Sequence, residues 1–181
     1  MKRDSQTGFT MVELAVTLTV AAMLLAIVVP GIKNTLAVYN RNGAAREVMA
    51  QIRNAQSAAV TRDGVYVFQW GGDTAVNYPE SQYRLVKDTS GACALPTATT
   101  AKDDTNVLVY WRDVATTFPG TKIQSVIDNS GTAVGKIMFN SRGASVNTCA
   151  TANFPITVTV ADGAGKTRQI QIRSAGSVKL L

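Results

Sequence analysis

One carboxylate is out of keeping with its surroundings. Glu13 is the only charged residue in the 21-residue run from Phe9 to Val29. A carboxylate in so apolar a run costs roughly 2.5 to 3.5 kcal/mol on insertion scales unless it finds a partner. Two readings follow: a cation pairs with it, or it sits close enough to the membrane surface to be tolerated. Just ahead of it lies the Gly8-Phe9 junction, preceded by a short polar segment carrying Lys2, Arg3 and Asp4. Two further residues with chemistry of their own are Cys93 and Cys149. In an oxidising compartment they would form a disulfide closing a 57-residue loop, worth roughly 4 kcal/mol by chain entropy; the alternative is two buried thiols. Catalytic chemistry is poorly supplied. Histidine is absent, no acidic or cysteine cluster has metal-ligand spacing, and no serine nucleophile motif is present. Gly131-Thr132-Ala133-Val134-Gly135-Lys136 is one residue short of a phosphate loop and lacks the following Ser or Thr, so it reads as a turn entering a strand. Neither an enzyme nor a cofactor is expected.

The elements that must position these residues fall into two kinds. Phe9 to Val29 is long enough, at 1.5 Å per helical residue, to cross the roughly 30 Å hydrocarbon core of a bilayer. A cleaved secretory signal is the competing reading, but its apolar region is shorter and ends in a small-residue site; here Pro30-Gly31-Ile32-Lys33 follows. Lys2 and Arg3 on one flank against Lys33 on the other lean toward a cytoplasmic N-terminus. Beyond Lys33 the spacing of Leu36, Tyr39, Ala45, Val48, Met49, Ile52, Ala55, Gln56 and Ala59 continues a helix that is now amphipathic, with Arg41, Arg46, Glu47 and Arg53 on its surface. Pro30 removes a helical donor beside Gly31, so a kink is expected there. Asp63-Gly64 is the expected stop.

From Val65 the period shortens to two. Strands are expected at Val65–Trp70, Tyr83–Lys87, Val107–Trp111, Lys136–Phe139, Phe154–Val160 and Thr167–Arg173. In the clearest hairpin, Ile156, Val158 and Val160 are answered by Ile170 and Ile172 across Asp162-Gly163-Ala164-Gly165. The fold class is therefore α+β: a long N-terminal helix, transmembrane in its first half, packed on a C-terminal antiparallel β domain.

Gly8-Phe9-Thr10-Met11-Val12-Glu13-Leu14 resembles the prepilin signature of type IV pilin-like proteins: a short charged leader, Gly, Phe, then an acid four residues on. Pro30 also sits where such proteins have a proline. Ile52 to Arg62, Ile137 to Gly143 and Gly165 to Ile170 resemble the GspH/FimT family of minor pilins and pseudopilins. The resemblance implies a type IV pilin-like fold and a division into a leader (1–8), a transmembrane and polymerisation half-helix (9–32), an amphipathic half-helix (33–62) and a periplasmic β domain (63–181). It implies that a prepilin peptidase cuts between Gly8 and Phe9 and that Phe9 is N-methylated. It also implies that Glu13 pairs with the Phe9 ammonium of a neighbouring subunit. The expected partners are other pilins or pseudopilins in a helical filament and an inner-membrane assembly platform. The expected location is a single pass through the bacterial inner membrane with the C-terminal domain in the periplasm, then a periplasmic or surface filament.

A second function rests on charge. From Thr121 onward seven basic residues face two acidic ones, against eight and eight between Asn34 and Gly120. Arg142, Lys166, Arg168 and Arg173 are the candidates for a DNA-binding surface, as in a minor pilin of a DNA-uptake system. A solvated basic face is the plain alternative, since no aromatic residues interleave these cations.

Overall fold

The computed structural model describes residues 9–71, 79–89, 106–146 and 153–181. Cys93, Cys149 and Gly8 lie outside these residues, as does the side chain of Pro30. The chain divides into two compact units, Met1–Leu36 and Ala37–Leu181. Helix α1, Met11–Thr61, begins in the first and ends in the second, and its backbone is helical through positions 30 and 31.

In the first unit no described residue covers α1. Met11, Leu14, Val16, Leu18, Met23, Leu24, Leu25 and Ile27 are all more than half exposed. In the second unit α1 has a core. Ala44, Ala45, Val48, Ile52, Ala55 and Ala59 are fully buried, at the three-and-four spacing of one helical face. Four of these six are alanine, and such small side chains allow the helix axis to approach the sheets closely. Leu36 and Tyr39, expected on this face, are instead exposed, because burial begins only at Asn40. The helix ends at Thr61, where Arg62 and Gly64 donate to the carbonyls of Ala58 and Ala59 and Asp63 takes a positive φ of 43°.

Two antiparallel sheets complete the second unit. The strands are β1 (Val65–Trp70), β2 (Gln82–Asp88), β3 (Val107–Asp113), β4 (Thr121–Ile127), β5 (Lys136–Phe139), β6 (Ser145–Val146), β7 (Ile156–Asp162), β8 (Thr167–Ile172) and β9 (Val178–Leu180), with a short helix α2 (Val114–Thr117) before β4. One sheet runs β3-β2-β1-β5-β6 and the other β4-β7-β8-β9. Phe68, Tyr83, Leu85, Ile137 and Phe139 from the first, and Ile123, Val158, Val160, Ile170 and Ile172 from the second, join the buried face of α1 in one core. The hairpin register follows from alternation: Ile156 faces Ile172 and Val158 faces Ile170.

β4 was not legible as a strand. The reason is a bulge at Gln124, where the register shifts between Ile123 and Ser125. Buried positions therefore run Thr121, Ile123, then Val126, and the change of parity hides the period of two.

Four turns share one form. Asp128–Thr132, Asn140–Ala144, Asp162–Lys166 and Arg173–Ser177 each close with the first residue's N–H donating to the fifth residue's carbonyl, and with glycine in the fourth place at positive φ. In the first three, the leading Asp or Asn side chain also accepts from the N–H groups two and four residues on. Two of these turns meet directly, beside Gln56. A Cβ at Gly176 would overlap the Gly143 carbonyl oxygen, whereas one at Gly131 meets open space. Both glycines have φ of 83°. Gly131→Ala should therefore cost only the left-handed strain, about 1 to 2 kcal/mol. Gly176→Ala should cost more than twice as much, read as the shift in chemical-denaturation midpoint of the detergent-solubilised chain. Equal costs would mean the two turns are not in contact.

Candidate functional site

The N-terminal turn of α1 is built by Thr10 and Glu13. Thr10 N and Thr10 Oγ1 both donate to Glu13 Oε2 at 2.9 Å, and Glu13 N donates to Thr10 Oγ1 at 3.2 Å. This is a capping box: the hydroxyl takes one orphan helix N–H while the carboxylate takes the N–H of the capping residue. Glu13 thus has partners within its own chain, a role the sequence reading missed although Thr-x-x-Glu is its signature. Only one carboxylate oxygen is engaged. Oε1 carries no bond among the described residues and is open to a second partner. Phe9 beside it is 86% exposed.

In the second unit, four consecutive α1 residues hold two separate segments of the fold. Asn40 Nδ2 donates to the Pro119 carbonyl at 3.1 Å, and Arg41 Nη1 donates to Asp162 Oδ2 at 2.5 Å. Asn42 Oδ1 accepts from Arg168 Nε at 3.0 Å, and at Gly43 the Phe118 ring occupies the space a Cβ would need. Arg41 was expected on the surface. It is nearly buried instead, because Asp162 lies opposite it with a side chain only 3% exposed. Burial pushes the Asp162 carboxyl up, but the Lys166 N–H, the Arg41 guanidinium and the Ala164 N–H outweigh it and hold it below its ordinary value. Fourteen residues further along α1, Gln56 Nε2 donates to the carbonyls of both Gly143 and Gly176, at 2.7 and 3.0 Å. It ties a turn of each sheet to the helix.

The four candidate cations do not form one cluster. Arg168 is held by Asn42 and by the Leu181 carbonyl, and Lys166 lies on the same hairpin. Arg142 and Arg173 lie on the two turns that meet at Gln56, about 21 Å away along α1 at 1.5 Å per residue. Arg142 is therefore a neighbour of Arg173 and not of Lys166. All four are exposed.

A long helix, apolar and uncovered in its first half and packed on antiparallel sheets in its second, is the architecture of type IV pilin-like proteins. Residues 3–29 match the prokaryotic N-terminal methylation motif. The structure is similar to the type IV minor pilin FimU of Pseudomonas aeruginosa, with a TM-score of 0.50 and 18% identity over 78% of this chain and 87% of that one. It is also similar to the minor pseudopilin EpsH from the type II secretion system of Vibrio cholerae, in two crystal structures. One gives a TM-score of 0.52 at 9% identity over 78% and 93% of the two chains, the other 0.50 at 10% over 78% and 96%. No curated protein sequence matches the chain. The chain thus carries the N-terminal methylation motif and has a type IV pilin-like fold, the one seen in these minor pilins and minor pseudopilins.

The carboxylates of this unit set its acid response. Ser130 Oγ and the N–H groups of Asn153, Thr132 and Ser130 hold Asp128 at about 2, below its ordinary 3.8. A carboxyl lowered by folding contributes stability that is complete above its ordinary value and is lost as pH falls through the folded value. Asp128 and Asp162 both act in this direction. Stability should thus be insensitive to these groups above about pH 5 and fall between about pH 4 and 2. Asp128→Asn should flatten that fall, followed by urea midpoints at stepped pH. An unchanged slope would remove Asp128 from the account.

Proposed function

We propose that this chain is a minor subunit of a type IV filament system, either a type II secretion pseudopilus or a type IV pilus, and acts structurally in filament initiation and assembly. The observation that carries the reading is the first half of α1, whose described side chains are apolar and exposed around the helix, with no described residue of the chain covering them. Such a surface must be covered by lipid before assembly and by other subunits after it. The sheet edges offer no competing route. β4 carries a bulge and Lys122, β6 has two residues, β3 pairs with two register shifts, and β9 has three residues with its Val178 carbonyl already taken by Arg53. Short, bulged or charged edges oppose strand addition.

In this reading residues 1–8 are a leader that a prepilin peptidase removes at the Gly8–Phe9 bond, and Phe9 is then methylated. Residues 9–32 anchor the chain as a single pass in the inner membrane, with Pro30-Gly31 as a weak point in the helix. The remainder occupies the periplasm, where Cys93 and Cys149 bridge. During assembly on the inner-membrane platform, the Phe9 ammonium of a neighbouring pilin reaches Glu13 through the open Oε1, while Thr10 keeps Oε2. Glu13→Ala should leave membrane insertion intact, since a charge leaves the apolar run, yet reduce incorporation into filaments at least tenfold. Intact mass of the membrane-extracted protein should show a chain beginning at Phe9. Retention of Met1 to Gly8 in peptidase-positive cells would sink the proposal.

One observation favours a DNA-binding role within the same architecture. Among the described carboxylates of the second unit, Asp88, Asp128 and Asp162 are buried, Glu47 and Glu80 are ion-paired, and Asp113 caps α2, which leaves Asp63. Arg142, Lys166, Arg173 and Lys179 are exposed and have no carboxylate partner among the described residues. Among the described residues of this unit, the unpaired charges at the surface are therefore mostly basic. If the adjacent Arg142 and Arg173 bind phosphates, replacing both with Ala should weaken retention of any duplex sequence. It should also lower the salt-dependence slope by about two, roughly one per lost contact. A wild-type chain that shows no salt-dependent DNA retention leaves the structural role alone.

A further inference from the structure

Exposure along α1 changes abruptly. Leu36 and Tyr39 are 56% and 70% exposed, Asn40 is 9%, and Ala44 and Ala45 are 0%. At that boundary stand the four consecutive contacts of Asn40, Arg41, Asn42 and Gly43. Successive helical residues are about 100° apart, so four of them sweep about 300° around the axis. The four contacts consequently leave the helix in different directions within one turn. Two separate segments supply the grip: the α2–β4 link, through Phe118 and the Pro119 carbonyl, and the β7–β8 hairpin, through Asp162 and Arg168.

We propose that Asn40–Gly43 is a collar that stops unwinding of α1, so that any melting of the helix N-terminal to it does not enter the globular unit. A helix gains most of its stability from tertiary packing, and residues 31–39 have almost none. Unwinding that begins at Pro30-Gly31 meets no packed residue until Asn40. From there each further residue opened breaks a side-chain contact as well as a backbone bond. Asp162 strengthens the stop, because opening the helix at Arg41 would leave its buried carboxylate without the guanidinium. Contacts to a single segment could be peeled away together with that segment; with two separate segments holding four successive residues, both must let go before the turn opens. In a filament subunit, whose role here rests on the proposed function, a pull on the N-terminal helix would lengthen the segment before the collar and leave the β domain folded.

Hydrogen exchange on the full chain in detergent micelles tests this without any filament. Amides of residues 33–39 should exchange at least ~100-fold faster than those of residues 44–48, with the step falling within 40–43. The double variant Asn40→Ala/Asn42→Ala keeps the Arg41–Asp162 pair but loses the contacts to the Pro119 carbonyl and to Arg168. It should speed exchange at residues 41–45 by about tenfold or more and leave Val67 and Phe68 in β1 unchanged. A wild-type step lying before residue 38 or after residue 46 overturns the collar, as does a double variant whose step does not move. Because the wild-type profile decides the position by itself, a variant that unfolds leaves the inference testable. Failure of filament incorporation would bear on the proposed function and not on the collar.

Discussion

The buried face of α1 from Ala44 to Ala59 is the contact on which the globular unit depends. Neither sheet could bury its inner side chains without it, since both send their apolar residues to the same strip of helix. Because the buried strip is largely alanine, it leaves little room for larger side chains: one would press on the side chains of both sheets that share its core. The polar contacts at its two ends, at Asn40 to Gly43 and at Gln56, fix where along the axis the sheets sit. Burial of alanine, being nearly featureless, could not do so.

The same helix is required to do the opposite in its first half. There, among the described residues, no face is reserved for the chain's own core, and apolar side chains are exposed around the helix. The single carboxylate in it is held by a local device, the Thr10–Glu13 box, which uses one oxygen and leaves the other. Local capping and pairing between subunits are thus compatible uses of one group. Elsewhere the described carboxylates serve mainly internal turns and ion pairs, while Arg142, Lys166, Arg173 and Lys179 stay exposed.

Much of this fold was legible in the sequence. The long helix, the stop before Gly64 and the strands β1 and β5 follow directly from changes of period, because there one side-chain pattern maps onto one element. The hairpin of Ile156 to Ile172 was readable for the same reason. β4 was not, since its bulge at Gln124 changes parity halfway along. β9 and β6 were too short to show a period at all. Around the site, Phe9 and Glu13 were apparent from their unusual placement, whereas Arg41 was misplaced on the surface, because its partner Asp162 is 121 residues away.

What the sequence by itself determined are the properties that repeat or stand alone over short spans: a bilayer-length apolar run, a lone carboxylate beside a Gly-Phe junction, the switch from helical to strand period. Each is set by neighbours within a few residues, so no knowledge of the fold is needed to read it. The tertiary structure alone decided which polar residues are internal, that Arg142 sits with Arg173 and apart from Lys166, and that the core of α1 starts at Asn40 and not at Leu36. These depend on which distant turns the two sheets bring against the helix, and contacts between residues more than a hundred positions apart leave no periodic trace in the chain.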